Sequence, residues 1–216
     1  MGAMSAPSVA SPPEAANPEI ASKRRQILDG ARRVFLAAGF DGASMGEIAR
    51  AAAVSKGTLY VYFASKEALF EALTIEEKRG QAEALFRLDP EDPDVHGVLR
   101  RLALDVMALM VAPEHVASVR MVIGAVEKFP QFGRAYYEAG PEEGHGRLTA
   151  YLRTQVAAGR VRAEDPGLAA RHYFDLCHAG VIRRLLFGVQ APMDEAARAR
   201  LVDEALRVFF AAYGPD

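Results

Sequence analysis

The 216-residue chain is half hydrophobic and one quarter charged, a composition typical of a globular protein long enough to bury a sizeable core. Its formal net charge of −2 excludes a global field that would draw the whole molecule onto nucleic acid or a membrane surface. The single cysteine excludes an internal disulfide and a cysteine-rich zinc site, and the longest mid-chain apolar run, residues 106–112, is far shorter than the roughly 18 residues of a membrane-spanning helix.

The N-terminal segment is rich in Ala, Ser and Pro and carries almost no charge. It cannot bury enough apolar surface to offset its ordering entropy, so residues 1–19 are predicted to form a disordered arm. The segment also lacks the basic start and apolar stretch of a secretory signal. Together with the lone cysteine, this favours a cytoplasmic protein whose thiol stays reduced.

From Ile20 onward the apolar residues recur at steps of three and four, the pattern of an amphipathic helix. Gly39 followed by Phe40 is typical of a left-handed helix cap with an apolar contact. No stretch of the chain alternates strictly between apolar and polar residues, and no hairpin turn lies between two alternating stretches. The sequence therefore predicts an all-α fold.

Residues 44–66 have a different pattern, with several short helices that each have their own cap. Ser44 and Glu47 form a capping box, and a tight turn at residues 53–55 separates the first short helix from the second. The predicted caps are Ser44, Ser55 and Ser65, which open helices at 45–52, at 56–63 and from 66 onward. Two short helices joined by a three-residue turn indicate a helix-turn-helix, whose second helix enters the major groove of DNA.

The charge distribution supports this interpretation. Residues 22–66 contain eight basic and three acidic side chains, a net charge of +5, so the rest of the chain carries −7. A basic segment on an acidic body is expected where only one end meets phosphate, although most basic stretches are simply solvated helix faces.

Proline and aspartate divide the remainder of the chain. Asp92-Pro93 and Asp165-Pro166 each place a capping carboxylate before a proline at the first helical position. The further predicted helices are 66–88, 94–111, 114–128, 131–139, 141–159, 166–187 and 192–213. We therefore expect a DNA-binding domain at 20–66 and a second helical domain at 67–216.

The stretch Val54-Ser-Lys-Gly-Thr-Leu-Tyr-Val-Tyr-Phe-Ala-Ser-Lys-Glu67 closely resembles the recognition helix and following turn of TetR-type transcriptional regulators. The resemblance also includes Phe35, Gly39, Phe40 and Ile48-Ala49, and covers about residues 22–70. It implies a DNA-binding transcriptional regulator, usually a repressor, and not an enzyme. The DNA-binding residues that it implies are Ser44, Ser55, Lys56, Gly57, Thr58, Tyr60, Tyr62 and Lys66, with Lys66 as a phosphate clamp.

Three positions depart from the family pattern. Ala53 stands where the family often has glycine, which predicts a slightly strained turn. Val61 replaces a histidine or aromatic residue, and Gly46 lacks a side chain where relatives often place one that reads a base. Because fewer base-reading groups remain, specificity is expected to depend on Lys56, Thr58 and DNA shape.

The final helices are apolar over more of their circumference than a one-sided surface helix needs. In helix 192–213 the apolar arc spans roughly 200°, about twice the usual width. Surplus apolar surface of this size favours a partner subunit. We therefore expect a homodimer through helices 166–187 and 192–213, bound to a palindromic operator whose half-sites lie about one DNA turn apart.

Residues 120–141 resemble, more loosely, the AefR-type C-terminal domain of the same family. This implies a pocket for a small apolar effector that releases the protein from its operator, so that residues 67–216 are expected to bind the effector as well as form the dimer. Because the sequence lacks the usual metal and nucleotide motifs, we expect no cofactor and no metal. The candidate lining residues are Met107, Met110, Met121, Phe129, Tyr137, Phe174, Cys177 and His178. Methionines and aromatic residues at helical spacing are more often core than pocket, so the core alternative stays open.

Three alternatives remain. Gly42-Ala-Ser-Met-Gly46 fits the pattern of a hydrolase nucleophile, but that motif needs a preceding strand. A carboxylate-bridged metal bundle needs two Glu-x-x-His pairs, and only Glu142-x-x-His145 occurs. The third alternative is a DNA-binding dimer that responds to no ligand.

Overall fold

The computed structural model describes residues 18–189 and 193–215. Over these residues the regular structure is helical throughout, which confirms the all-α prediction. The helices are α1 (Pro18–Gly42), α2 (Met45–Ala51), α3 (Lys56–Tyr62), α4 (Lys66–Leu85), α5 (Val95–Met110), α6 (Pro113–Ala125), α7 (Pro130–Tyr137), α8 (Glu143–Ala157), α9 (Pro166–His178), α10 (Val181–Leu186) and α11 (Glu195–Tyr213). The chain separates into two compact units, with the division between Leu69 and Phe70.

The predicted N-terminal arm lies outside the described residues as far as residue 17, whereas Pro18 and Glu19 are already helical. α1 is broken at Gly39, where φ is 71° and ψ is 175°. This backbone conformation is nearly restricted to glycine, and it turns the chain so that Phe40 stacks on Phe35 at 6.1 Å between ring centroids. The positive φ and the apolar contact expected at this helix end are both present, although ψ lies outside the left-handed helical region.

Local caps define the short helices of the first unit. Ser44 and Glu47 form the predicted capping box at the start of α2. The Ser55 hydroxyl accepts from the Thr58 N–H at 2.9 Å, and the Ser65 hydroxyl accepts from the Ala68 N–H at 3.1 Å. All three predicted caps are confirmed.

The turn between α2 and α3 is a Schellman motif. The Ala53 N–H donates to the carbonyl of Arg50 at 3.1 Å, and the Val54 N–H donates to the carbonyl of Ala49 at 3.0 Å. Ala53 has a φ of 52°, in the region that favours glycine. The strain predicted at this position therefore has a conformational basis.

In the core of the second unit, α5 packs against α9 and α11, and α9 also packs against α8. Leu99, Leu102 and Met107 of α5 are fully buried. The hydroxyl of the buried Tyr173 in α9 donates to the carbonyl of Leu99 at 2.6 Å, so this buried hydroxyl has a partner. α5, α9 and α11 therefore pack together in this core.

Two predicted helices have different limits. The single helix predicted at 166–187 is wrong, because α9 ends at His178 and α10 begins at Val181. Ala179 and Gly180 between them have φ values of 23° and 80°, which interrupt the helical hydrogen bonds. The helix predicted at 192–213 is observed from Glu195, and residue 192 lies outside the described residues.

Two predictions about helix starts, one at Asp92 and one at Pro141, also differ from the structure. Asp165 does cap α9, with Pro166 in its first turn, but the cap of α5 is Asp94 rather than Asp92. The carboxylate of Asp92 instead accepts from the Asp94 N–H at 2.9 Å, an Asx turn that precedes the helix. Pro141 does not begin a new helix: it lies inside a π-helical turn, Glu138–Glu142, whose wider spacing accommodates a residue without an N–H.

In the part of the chain that the structure describes, no single helix is long and apolar enough to cross a membrane. The pair α5 and α6 meets that criterion only when taken together, with a bend of 67° between them.

Candidate DNA interface and effector cavity

The second helix of the helix-turn-helix has one buried face and one exposed face. Leu59 is fully buried in the first unit, and Phe63 just after α3 is 6% exposed. Lys56 and Gly57 are exposed, Tyr60 is 52% exposed and Val61 is 83% exposed. Because Tyr60 and Val61 are adjacent and both exposed, α3 presents a surface available to a partner.

The serine and threonine hydroxyl groups at this surface already have partners within the chain. The Ser44 hydroxyl accepts from the Glu47 N–H at 3.2 Å and donates to the Glu47 carboxylate at 2.7 Å. The Ser44 N–H also donates to that carboxylate at 3.0 Å, and the two bonds to the carboxylate hold the pKa of Glu47 below its usual value. The Ser55 and Thr58 hydroxyls lie 2.8 Å apart. These residues therefore position the N-termini of α2 and α3, where free N–H groups favour an anion such as phosphate.

Lys56 lies across the start of α2. A side-chain carbon at Gly46 would come within 2.9 Å of the Lys56 Cε and 3.2 Å of its Nζ. The stem of Lys56 thus occupies the space that a side chain at position 46 would need. Because these atoms are the end of a flexible side chain, Lys56 would have to shift to admit a side chain at position 46.

The ammonium of Lys66 makes its contacts inside the first unit, and the longest of its hydrogen bonds is to the carbonyl of Asp41 at 3.4 Å. The ammonium also donates to the carbonyls of Phe40 at 2.7 Å and Ala43 at 2.9 Å, and lies 4.6 Å from the centre of the Phe40 ring. The residue is half-buried, and these bonds tie the start of α4 to the end of α1. The observed contacts of Lys66 are therefore structural, and its predicted role as a phosphate clamp stays a prediction.

Two side chains of α1 hold the helix-turn-helix in place. Gln26 donates to the carbonyl of Ala52 at 2.7 Å, and Arg33 donates to the carbonyl of Ala51. Both bonds satisfy carbonyls at the C-terminal end of α2, which would otherwise lack partners. The recognition surface is thus supported by a longer helix that packs behind it.

The second unit contains a cavity of about 500 Å³. This volume lies within the usual range for small-molecule sites. Its walls come from α4, α5, α6, α7, the π-helical turn, α8 and α9. The lining residues are Lys78, Gln81, Ala82, Leu85, Phe86, Val106, Leu109, Met110, His115, Tyr136, Tyr137, Gly140, Pro141, Glu142, Gly144, His145, Arg171, Phe174, Asp175 and His178.

Half of the predicted pocket residues lie at this cavity. Met110, Tyr137, Phe174 and His178 line it. The other four predicted residues, Met107, Met121, Phe129 and Cys177, are not among the lining residues. Met107 and Cys177 are instead buried in the core, and burial raises the pKa of the Cys177 thiol to about 12.

A group of polar side chains is buried in one wall of the cavity. The ammonium of Lys78 donates to Gln81 at 3.0 Å and lies 3.5 Å from Nδ1 of His115, whose Nε2 lies 3.4 Å from the Tyr136 hydroxyl. Burial lowers the pKa of Lys78 to about 8. Burial and the nearby Lys78 charge lower the pKa of His115 to about 4, and burial raises that of Tyr136 to about 12.

Sequence reasoning missed Lys78, Gln81 and His115 at the cavity and Val61 on α3. A signal was available for α4, because Lys78, Gln81, Ala82 and Leu85 follow the i, i+3, i+4, i+7 spacing of one helix face. The same spacing relates Arg171, Phe174, Asp175 and His178 on α9. The spacing defines each face, but it does not reveal that the two faces border the same space.

The residues behind the two enzyme alternatives have structural roles. Ser44 caps α2, as described above. His145 lies 2.9 Å from the Gly167 carbonyl through its Nε2, and within the described residues no group of three His, Cys, Asp or Glu side chains could hold a metal ion.

Comparisons with known proteins match both units. Residues 27–73 match a family model described as bacterial regulatory proteins of the tetR family, and residues 97–215 match the C-terminal domain of AefR-like transcriptional repressors. The chain is 32% identical over 195 residues to the HTH-type transcriptional repressor Rv1474c of Mycobacterium tuberculosis, covering 90% of this chain and 98% of that protein. It is 36% identical over 201 residues to the repressor AcnR of Corynebacterium diphtheriae, covering 90% and 97%.

Solved structures show the same similarity. A crystal structure of a regulator assigned to the TetR family, from Mesorhizobium loti, superimposes with a TM-score of 0.84 at 30% identity, covering 90% of this chain and 98% of that one. A flavonoid-responsive regulator, FrrA, superimposes with a TM-score of 0.73 at 32% identity and the same coverage.

Proposed function

The chain belongs to the TetR family of bacterial regulatory proteins, and from this premise we propose that it represses transcription by binding a palindromic operator as a dimer. It is a DNA-binding transcriptional regulator and not an enzyme, and TetR-family regulators bind DNA as dimers. The names of two relatives, both called repressors, support the direction of control. Such a regulator acts in the cytoplasm, where its operator lies.

The exposed face of α3 is the observation that carries this proposal. Lys56 reaches guanine acceptors or a phosphate, and Tyr60 and Val61 offer surface to the groove, where an apolar side chain meets the methyl group of thymine. Lys56 extends over the N-terminus of α2, so one lysine adds positive charge where Ser44 and free N–H groups already favour phosphate. In this proposal residues 20–66 bind DNA, and residues 67–216 bind the effector and form the dimer.

Exposed apolar side chains on the C-terminal helices support dimerisation through this region. Leu168 on α9 and Val208 on α11 are exposed, and Phe187 just after α10 is 79% exposed. Fewer apolar residues of these helices are exposed than the sequence pattern indicated. Val202 and Leu206 of α11 are buried within the same chain, because α11 packs against both α5 and α9. The wide apolar arc is therefore mostly core, and the proposed interface uses what remains exposed.

The cavity is the proposed effector site, occupied by a small and largely apolar molecule. A structurally similar regulator is named flavonoid-responsive, which supports an organic effector. Effector binding would favour a dimer whose recognition helices are wrongly spaced for adjacent major grooves, which is a shift between two populations. α4 supplies Lys78 and Gln81 to the cavity and begins at Lys66, so it is suited to transmit that shift.

The test is fluorescence anisotropy on a labelled duplex taken from upstream of the gene, with excess random DNA at physiological salt. Wild-type protein should bind with competitor-resistant affinity, and the double variant Lys56→Ala, Tyr60→Ala should lose at least tenfold. Lys128→Ala is the matched control, because it removes an exposed lysine from the second unit. Equal binding by wild type and the double variant would contradict the assignment of the α3 surface.

A further inference from the structure

The side chain of Lys78 has an unusual environment for a lysine. It is only 4% exposed, although lysine is almost never fully buried without a charged partner. Its stem lies along the π-helical turn, where a side-chain carbon at Gly140 would come within 3.2 Å of the Lys78 Cδ. Its ammonium lies 4.5 Å from the centre of the Tyr136 ring. The chain thus holds this cation in a defined position beside the cavity.

The polar contacts of the Lys78 ammonium compensate its charge only in part. Within the described chain they are the amide of Gln81 and the imidazole of His115, and a carboxylate is not among them. The adjacent Glu77 favours the charged form through space, but burial has the larger effect. A buried cation is costly unless an anion lies beside it, so this position favours a negatively charged group in the cavity.

Neutral donors lie next to the same position. With a pKa of about 4, His115 is uncharged at neutral pH and keeps one N–H to donate. The Tyr136 hydroxyl stays protonated because its pKa is about 12, so it can also donate. An ammonium with two neutral donors nearby is suited to a carboxylate, whose two oxygens accept several hydrogen bonds.

The remainder of the cavity has an apolar wall and a charged opening. Leu85, Phe86, Val106, Met110 and Phe174 provide the apolar wall, and the Phe86 and Phe174 rings meet edge to face at 6.0 Å. The charged lining residues Glu142, Arg171 and Asp175 are exposed, so they lie where the cavity opens to solvent. Among the described lining residues, Lys78 alone places a charged group in the buried part.

We propose that the effector is an apolar organic acid whose carboxylate binds the Lys78 ammonium, while its hydrocarbon or aromatic body packs against the wall of α5 and α9. This inference rests on the proposed function, because it assigns a chemical class to the effector of the same cavity. His115 and Tyr136 are positioning residues for the acid group, and Lys78 determines the preference for acids over neutral molecules of the same shape.

The test compares acids with their own primary amides, which have nearly the same shape but no charge. The probes are octanoate, dodecanoate, trans-cinnamate and 2-naphthoate with the four matching amides, titrated calorimetrically into the full-length protein. At least one acid should bind about tenfold or more tightly than its amide, since a charge-assisted hydrogen bond is roughly twice as strong as a neutral one. In Lys78→Met, which keeps the apolar stem, the ratio should fall to within twofold of one.

Lys128→Met and Tyr136→Phe complete the design. The first removes an exposed lysine and should leave the acid-to-amide ratio unchanged, and the second should reduce the ratio by a smaller factor than Lys78→Met. Acids that bind no better than amides, acids that all fail to bind, or an acid preference that survives in Lys78→Met would each overturn the proposal. The proposed function fails separately, if a probe that binds leaves operator affinity unchanged.

Discussion

At the residue scale, Ala53 adopts a backbone conformation that glycine adopts at two other helix ends of this chain. The same pair of hydrogen bonds ends α8 at Gly159 and α10 at Gly188, where φ is 70° and 71°. Ala53 makes these bonds at a φ of 52° with a Cβ that crowds the backbone. The helix-turn-helix therefore contains strain at the residue that determines the angle between its two helices.

Ala53→Gly is expected to stabilise the protein by about 0.5–1 kcal/mol, because relief of the strain exceeds the added entropy of the unfolded chain. Gly159→Ala makes the reverse change at the equivalent position of α8 and should destabilise by about 1 kcal/mol or more. Urea unfolding at equal protein concentration measures both variants. The same sign for the two changes would contradict this account.

The second prediction at this scale concerns pH and Lys78. Its pKa is about 8 in the folded chain against 10.5 as the ordinary value, so between these values the unfolded chain binds more protons. The free energy of unfolding contributed by this site therefore rises with pH from 8 to 10.5, and the cost of burying the charge is fully present below pH 8. Lys78→Met removes that cost.

Lys78→Met should raise the free energy of unfolding at pH 7 by on the order of 2 kcal/mol, less whatever the lost bond to Gln81 contributed. The difference from wild type should shrink as pH rises from 8 to 10.5. Parallel urea titrations at several pH values measure it, with Lys128→Met as the exposed control. If the difference in free energy of unfolding did not change with pH, the buried charge of Lys78 would not be what destabilises the wild-type protein.

At the scale of elements, a contact between distant parts of the chain fixes the end of α1 against the start of α4. The ammonium of Lys66 bonds to the carbonyls of Phe40 and Ala43, which follow the break at Gly39. These carbonyls lie at or just after the C-terminal end of α1, where helical carbonyls lack intrahelical N–H partners. Lys66 therefore contributes to the placement of α2 and α3, whether or not it also meets phosphate.

Lys66→Met should lower the free energy of unfolding by about 1–3 kcal/mol, because it leaves two partly buried carbonyls without this donor. Lys56→Met, on the exposed face of α3, should change stability by less than about 0.5 kcal/mol. Thermal unfolding of the two variants gives the comparison, and operator affinity can be measured on the same samples. If both variants are as stable as wild type, the contacts of Lys66 are not structural.

At the scale of the whole molecule, the proposed repression depends on two copies of the chain, each of which binds one half-site. TetR-family regulators bind DNA as dimers, and dimerisation doubles the number of recognition helices that meet the operator. The exposed apolar residues of the C-terminal helices are the proposed contact. Since most of the apolar surface of α11 is used within the chain, few side chains are available to hold the dimer.

Phe187→Asp and Val208→Asp should each weaken dimerisation at least tenfold, because a charge would be buried without a partner. Operator affinity should fall with it. Ile123→Asp on α6 is the control, since Ile123 is also an exposed apolar residue and lies outside the proposed interface. Sedimentation velocity over a dilution series measures dissociation. Equal dissociation for all three variants would place the interface elsewhere.

The sequence by itself determined the features that depend on neighbours within a few residues. The caps at Ser44, Ser55 and Ser65 and the surface of α3 follow from spacings of three and four. The same local rule misassigned the cap of α5, because two aspartates competed and only the folded turn chose Asp94 over Asp92.

Only the tertiary structure decided which helix faces line the cavity and which pack in the core. Met107 and Met110 are three residues apart on one helix, yet the first is buried in the core and the second lines the cavity. From the sequence, Lys78 is expected to be a surface lysine. In the folded chain, α6 places His115, which lies 37 residues further along, next to its ammonium. Periodicity specifies the direction of a side chain on its own helix, but the medium that the side chain meets depends on helices distant in sequence.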